Sequence, residues 1–251
     1  MAEVIGIANQ KGGVGKTTTA VNLSAGLAKL GKYVLLVDFD PQANATAHLG
    51  IQPESVEKSV YHSIAGQEQV FDLVQETKIT GLHLLPANMD LAGLTVELVN
   101  LDDREFRLAK IISVLRPRYD YIIIDLPPSL GLITINGLIA SDNVLIPVQT
   151  EYYALEGIGQ LLKTIELLNE NLGVEIGLKG ALLTMYDLHN SLAQKVTMEV
   201  QEYFPGYVFE TIIPRNSELA EAPSQGVTIF QYAPRSSGAR AYGQLAEEII
   251  E

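Results

Sequence analysis

A doubly wound α/β fold, with a mostly parallel twisted sheet covered by helices on both faces, is predicted by three features of the sequence. Short apolar runs alternate with amphipathic stretches along the chain, several runs are apolar at every position (Ile122-Ile123-Ile124), and a glycine-rich loop joins the first run to the first amphipathic stretch. Strands apolar on both faces belong inside a parallel sheet, where helices cover each side. Alternation of strand with helix gives the doubly wound arrangement, which takes its ligand at the carboxyl ends of the strands. In order, strand-like runs cover Val4 to Ala8, Tyr33 to Asp38, Leu82 to Pro86, Tyr121 to Asp125, Val144 to Val148, Leu178 to Met185 and Val208 to Ile213. Helical periodicity marks Thr18 to Leu30, Arg104 to Leu115, Leu155 to Asn171, Leu192 to Tyr203 and Ala239 to Ile250. No linker, repeat or long apolar run interrupts the pattern, so residues 1–251 read as one domain without a membrane span. Met1-Ala2-Glu3 lacks the basic start of a signal peptide, and a cytoplasmic location is expected.

Composition narrows the function. Without cysteine there is no disulfide, thiolate zinc site or Cys-ligated iron–sulfur cluster. His48, His62, His83 and His189 show no metal-ligand spacing. The net charge of −13 opposes long-range attraction to nucleic acid or an anionic bilayer and favours a basic partner. The deficit is spread: residues 1–150 carry 11 basic and 16 acidic groups (−5), and residues 151–251 carry 6 and 14 (−8).

The glycine-rich segment Lys11-Gly12-Gly13-Val14-Gly15-Lys16-Thr17-Thr18 lies between a strand-like run and a helix-like run, the setting of a phosphate-binding loop. Gly12, Gly13 and Gly15 can adopt positive φ and let backbone N–H groups close on phosphate oxygens, with the positive end of the helix dipole behind them. Lys16 would reach the β- and γ-phosphates, and the Thr17 hydroxyl would ligate Mg²⁺. The usual first glycine is replaced by Gln10, and an additional lysine, Lys11, is present.

Two further segments place carboxylates at strand ends. Asp38-Phe39-Asp40-Pro41-Gln42 follows the second strand, and Asp40 is the candidate for positioning the attacking water. Helix capping would account for the same pair of aspartates. Ile122-Ile123-Ile124-Asp125 followed by Leu126-Pro127-Pro128 has the Walker B pattern, in which Asp125 holds Mg²⁺ through its water shell.

With these motifs together, the chain resembles the ParA/MinD family of deviant Walker A ATPases, and within it the short chromosomal ParA (Soj-like) partition proteins. The resemblance spans Asn9 to Thr18, Asp38 to Gln42, Asp125 to Pro128, Glu151-Tyr152-Tyr153-Ala154-Leu155-Glu156-Gly157, Pro214-Arg215-Asn216 and Glu221-Ala222-Pro223-Ser224. It implies a homodimer sandwiching two ATP molecules with Mg²⁺, in which Lys11 reaches the phosphates bound by the other subunit. It assigns Pro214 and Asn216 to the adenine, with Met185 either beside the base or in the core, and puts Gly12 at the dimer face. Tyr152 and Tyr153 would line that interface or simply pack.

Soj-like relatives bind DNA nonspecifically through basic residues of the carboxyl-terminal third. Here His189 stands in place of an arginine of the family pattern and Glu218 in place of a second basic residue, which weakens the expected DNA face; Arg215, Arg235, Arg240, Lys179 and Lys195 are left. The acidic ending Leu245-Ala246-Glu247-Glu248-Ile249-Ile250-Glu251 does not suit a membrane-binding tail. The resemblance thus implies a slow ATP hydrolase, stimulated by a ParB-like partner with a basic tail, that partitions a chromosome or plasmid and associates with the nucleoid. A positioning ATPase for another cargo, or a metabolic P-loop ligase or synthetase, are the alternatives.

Overall fold

The computed structural model describes residues 1–99, 101–151 and 154–251. In chain order its elements are β1 (Glu3–Ile7), α1 (Lys16–Lys29), β2 (Val34–Asp38), α2 (Asn44–His48), α3 (Val60–Ile64), β3 (Gln75–Glu76), β4 (Leu82–Leu85), α4 (Leu94–Glu97), α5 (Arg107–Leu115), β5 (Tyr121–Asp125), α6 (Leu132–Ala140), β6 (Asn143–Gln149), α7 (Ala154–Leu172), β7 (Gly177–Thr184), α8 (Ser191–Tyr203), α9 (Ser217–Glu221), α10 (Ile229–Tyr232) and α11 (Ser237–Ile250). The seven strands form one sheet in the order β3-β4-β2-β5-β1-β6-β7, and every neighbouring pair is parallel except β3 with β4. The predicted doubly wound fold is present, with one short antiparallel edge strand added.

Apolar residues on both strand faces build two cores. Val4, Leu35, Ile122 and Val144 pack on one side, with residues of α5, α6, α7 and α8. Ile5, Leu36, Ile123 and Leu145 pack on the other, beneath α1 and α11. Helix α11 comes close to α1 at Gly26, where a Cβ would lie 2.9 Å from that of Ala246 and 3.1 Å from the Tyr242 carbonyl. The buried Tyr242 hydroxyl then hydrogen-bonds the Thr19 hydroxyl at 3.1 Å, tying the last helix to the first turns of α1.

Two local expectations are corrected. Val208 to Ile213 is not a strand; it meets β7 through an isolated bridge, Ala181 with Val208, and through the N–H groups of Phe209 and Ile213, which donate to the carbonyls of Ala181 and Leu183 at 3.0 and 2.9 Å. The physical reason is competition for its backbone: the N–H groups of Glu210 and Thr211 donate to the Glu248 carboxylate at 2.7 and 3.0 Å instead of to a strand. Leu132–Ala140 forms the unpredicted α6, because its residues are apolar almost all round and carry no amphipathic period. Its one amide, Asn136, is buried and satisfied by Leu108 N–H and the carbonyls of Arg104 and Leu132.

Candidate nucleotide site

The carboxyl ends of β1, β2 and β5 meet at the start of α1, so the fold brings the loop and the aspartates together. Gly13 and Gly15 adopt φ of 74° and 89°, conformations that favour glycine, whereas Gly12 is not in the left-handed region. Gly15 is the N-cap of α1 and no side chain caps the helix, which leaves its first N–H groups free for an anion. Two side chains hold the loop. Asn9 donates to the Pro147 carbonyl at 2.7 Å and accepts from Lys11 N–H at 3.0 Å, and Thr184 donates to the Val14 carbonyl at 2.9 Å.

Lys16 is buried, and its ammonium donates to the Lys11 carbonyl at 3.2 Å. Burial lowers its pKa, while Asp125 and Asp40 act in the opposite sense, so it is a desolvated cation facing two carboxylates. Asp38 and Asp125 lie side by side in register across β2 and β5 and are fully buried. Asp38 accepts from the backbone and hydroxyl of Thr46, both at 2.7 Å, and from Asp40 N–H at 3.3 Å. Its role is therefore to anchor α2, the capping role the sequence left open. Asp40 instead lines the cleft with Gly12, Gly13, Gly15, Lys16 and Thr17, in a cavity of about 490 Å³. Among the described residues, neither oxygen of Asp125 has a hydrogen-bonding partner. An orphaned carboxylate beside Thr17 and Lys16 fits Mg²⁺, an ion that keeps several waters and needs only one or two protein oxygens.

The carboxylate pair gives a pH dependence. Burial pushes Asp38 up to about 6, against the hydrogen bonds from Thr46, and burial together with the Asp38 charge raises Asp125 well above the usual carboxylate range. An acid with a raised pKa holds its proton in the folded chain above the ordinary carboxylate value, and Mg²⁺ must displace that proton. Affinity for Mg²⁺-nucleotide should therefore fall as the pH drops from 7 to 5, approaching about tenfold per unit for one proton. Titration calorimetry across that range checks this, with nucleotide in EDTA expected to show a flatter profile.

A second cavity of about 280 Å³ adjoins the phosphate cleft and is lined by Thr18, Met185, Pro214, Asn216 and Tyr242 among others. Met185 borders both cavities and has a φ of 53°, a strained conformation for a residue with a side chain. The Asn216 amide is largely engaged: its oxygen accepts from Leu219 N–H at 2.9 Å as the cap of α9, and its nitrogen donates to Ser237 at 3.1 Å. One N–H of that amide is left for a base.

A family model described as an AAA domain matches residues 2–178. The chain is 52% identical over 249 residues to the sporulation initiation inhibitor protein Soj of Bacillus subtilis, covering 99% of this chain and 98% of that one. It is 47% identical to the chromosome partitioning protein ParA of Myxococcus xanthus, covering 100% of this chain and 89% of the relative. The chain belongs to the ParA/MinD family of P-loop ATPases. A crystal structure of cobyrinic acid a,c-diamide synthase from Mycobacterium smegmatis with bound ADP and magnesium superimposes with a TM-score of 0.89 at 36% identity, over 100% of this chain and 94% of that one.

For this ParA/MinD family member, the structure also brings to the cleft residues to which the sequence assigned no role. Gln42, Asn44, His48 and Pro223 line the phosphate cleft. His48 has its pKa lowered to about 4 by burial and is a neutral imidazole. On the carboxyl-terminal side, Arg215 and Arg240 share a surface groove with His189, whereas Lys179 is committed elsewhere, 2.9 Å from the Glu3 carboxylate. Tyr152 and Tyr153 lie outside the described residues. Among the described residues, no helix is long and apolar enough to cross a membrane.

Proposed function

We propose that the chain is an ATP-driven dimerisation switch of the ParA/Soj type that partitions a chromosome or plasmid. The observation that carries this reading is the loop's outer edge. Gly12 is exposed with nothing among the described residues within 4 Å of where a Cβ would lie, and Lys11 beside it is half-exposed, an edge suited to a second copy. The backbone of Gly12 to Thr18 and the Lys16 ammonium hold the phosphates, while Thr17 and Asp125 hold Mg²⁺. The ion neutralises charge on the phosphates. Asp40 orients the attacking water and accepts its proton, Lys11 supplies positive charge in trans, and the cavity around Met185, Pro214 and Asn216 takes the adenine. A ParB-like partner with a basic tail, attracted to a chain of net charge −13, stimulates slow hydrolysis, and the ADP-bound chains separate.

DNA binding belongs to the same reading through Arg215 and Arg240, which are exposed in one groove, but with fewer cations than the family pattern supplies. The pairing of Lys179 and the presence of Glu218 favour a second reading, in which the same engine positions a cargo other than DNA. A metabolic synthetase, the activity in the name of the M. smegmatis neighbour, would reveal itself by turnover that requires a small acid or amine. The functional test is retention of nonspecific duplex DNA with ATP and with ADP over a salt series. ATP-dependent, salt-sensitive retention is expected, with a slope reflecting few phosphate contacts.

Gly12→Val should bind nucleotide as a monomer. The open space in front of Gly12 lets the single chain accept the side chain, and the added methyl groups would then hold two loops apart. Light scattering with ATP checks this, and an ATP dimer of normal affinity would sink the steric role.

A further inference from the structure

The helix that begins at the phosphate loop ends beside a second hollow. Helix α1 runs from Lys16 to Lys29, so its two ends lie about 20 Å apart. Beyond Lys29 the chain turns at Gly31, whose φ of 82° favours glycine, and enters the amino end of β2. An adjacent turn at Gly81, φ 84°, leads into β4 and brings the Lys32 carbonyl within 3.1 Å of where a Cβ would lie. Between these turns and α10 is a cavity of about 550 Å³, lined by Lys29, Lys32, Tyr33, Ile79, Thr80 and Phe230 among others. Backbone bonds fix its rim: Gly31 N–H donates to the Ala28 carbonyl at 2.9 Å, Lys32 N–H to the Leu27 carbonyl at 3.1 Å and Val34 N–H to the Gly81 carbonyl at 2.8 Å. The lining combines charge with apolar surface. The Lys29 ammonium lies 5.1 Å from the centroid of the Phe230 ring, and Tyr33 is 60% exposed. Among the described residues no carboxylate pairs with Lys29 or Lys32. Asp120, which reaches the same end of the sheet, accepts instead from Tyr33 N–H at 2.8 Å.

We propose that this groove docks an acidic segment of a partner protein, with carboxylates on Lys29 and Lys32 and an apolar side chain of the segment against Tyr33, Ile79 and Phe230. A cation on the last turn of a helix complements its dipole, which accounts for Lys29 taken alone. It does not account for a second lysine on the same hollow, beside Ile79 and two aromatic rings, in a chain whose net charge is −13. The volume falls in the range of pockets that enclose a small ligand or a few side chains of a peptide. Charge selects the partner, and contact with the rings and the lysine stems supplies affinity. A nucleic acid fits less well, because two lysines neutralise few phosphates and a phosphate backbone gains nothing from an apolar lining. The groove lies at the amino ends of β2 and β4, away from the nucleotide cleft at the carboxyl ends, so an occupant leaves that cleft and the Gly12 face free. Docking here is therefore independent of how the nucleotide site is used.

The test uses the full chain and a fluorescein-labelled peptide, one phenylalanine flanked on each side by two glutamates, followed by fluorescence anisotropy. Saturable binding with a Kd below about 1 mM is expected, weakening as salt rises. Lys29→Glu combined with Lys32→Glu should weaken it about tenfold or more. Phe230→Ala, or alanine in place of the phenylalanine of the peptide, should each weaken it about three- to tenfold. Lys163→Glu, the same charge reversal at an exposed position of α7, should leave it unchanged. Affinity of the double variant for ADP should equal that of wild type, which reports an intact fold and phosphate cleft. Absence of saturable binding, binding that survives the double reversal, or an equal loss with Lys163→Glu would overturn the proposal. So would a double reversal that weakens retention of duplex DNA while the peptide fails to bind, an outcome that would place the groove on a nucleic-acid face.

Discussion

Replacing Lys16 with alanine should give a folded chain that no longer holds Mg²⁺-ATP. The side chain is buried within the loop, faces Asp125 and Asp40, and is the cation nearest the anion site formed by the uncapped start of α1. Loss of one partner from a desolvated charge contact costs about 2–5 kcal/mol, at least thirtyfold in affinity. The fold should survive, because among the described residues the Lys16 side chain hydrogen-bonds just the Lys11 carbonyl, and its burial as a cation is itself unfavourable. Calorimetry with ATP reads the affinity and circular dichroism reads the fold. An affinity within about threefold of wild type would remove Lys16 from the phosphate site.

Asp40→Ala should separate binding from turnover. Asp40 sits in a tight turn: its carbonyl accepts from Ala43 N–H at 2.8 Å and its carboxylate from Gln42 N–H at 3.0 Å, so the side chain is held on the cleft wall rather than free to swing. It does not support α2, since Asp38 carries that load through Thr46. Removal should therefore leave the fold and nucleotide affinity near wild type while hydrolysis falls by about 10²- to 10⁴-fold, the range for loss of a positioned base. Single-turnover phosphate release measures this. An unchanged rate would move water activation to another group, and a lost affinity would mean that Asp40 binds rather than catalyses.

Much of this site was legible in the sequence because its chemistry depends on local residue types at fixed spacing. The glycines, Lys16 and Thr17 fall within one loop, and Asp125 ends an apolar strand whose observed bounds, Tyr121–Asp125, match the run read from the sequence. Less legible was everything fixed by distant partners. That Val208 to Ile213 would be diverted from the sheet depended on Glu248, nearly forty residues away, supplying acceptors for its N–H groups. The buried α6 has no polar face to reveal its period. Asp38 and Asp40 look alike in the sequence, and only the position of Thr46 distinguishes an anchor for α2 from a group in the cleft. His48 and Pro223, far apart in the chain, meet at the cleft because α2 packs against the 222–225 turn, where Gly226 and Gly50 approach closely.

Nucleotide-controlled association of two chains through the loop face is the central property expected of the protein. The measurement that bears on it most directly is sedimentation velocity of the Asp40→Ala chain with Mg²⁺-ATP and, in parallel, with Mg²⁺-ADP. A dimer with ATP and a monomer with ADP are expected, the ATP dimer being lost when Gly12→Val is added. A monomer in both nucleotides, or a dimer indifferent to which is bound, would contradict it.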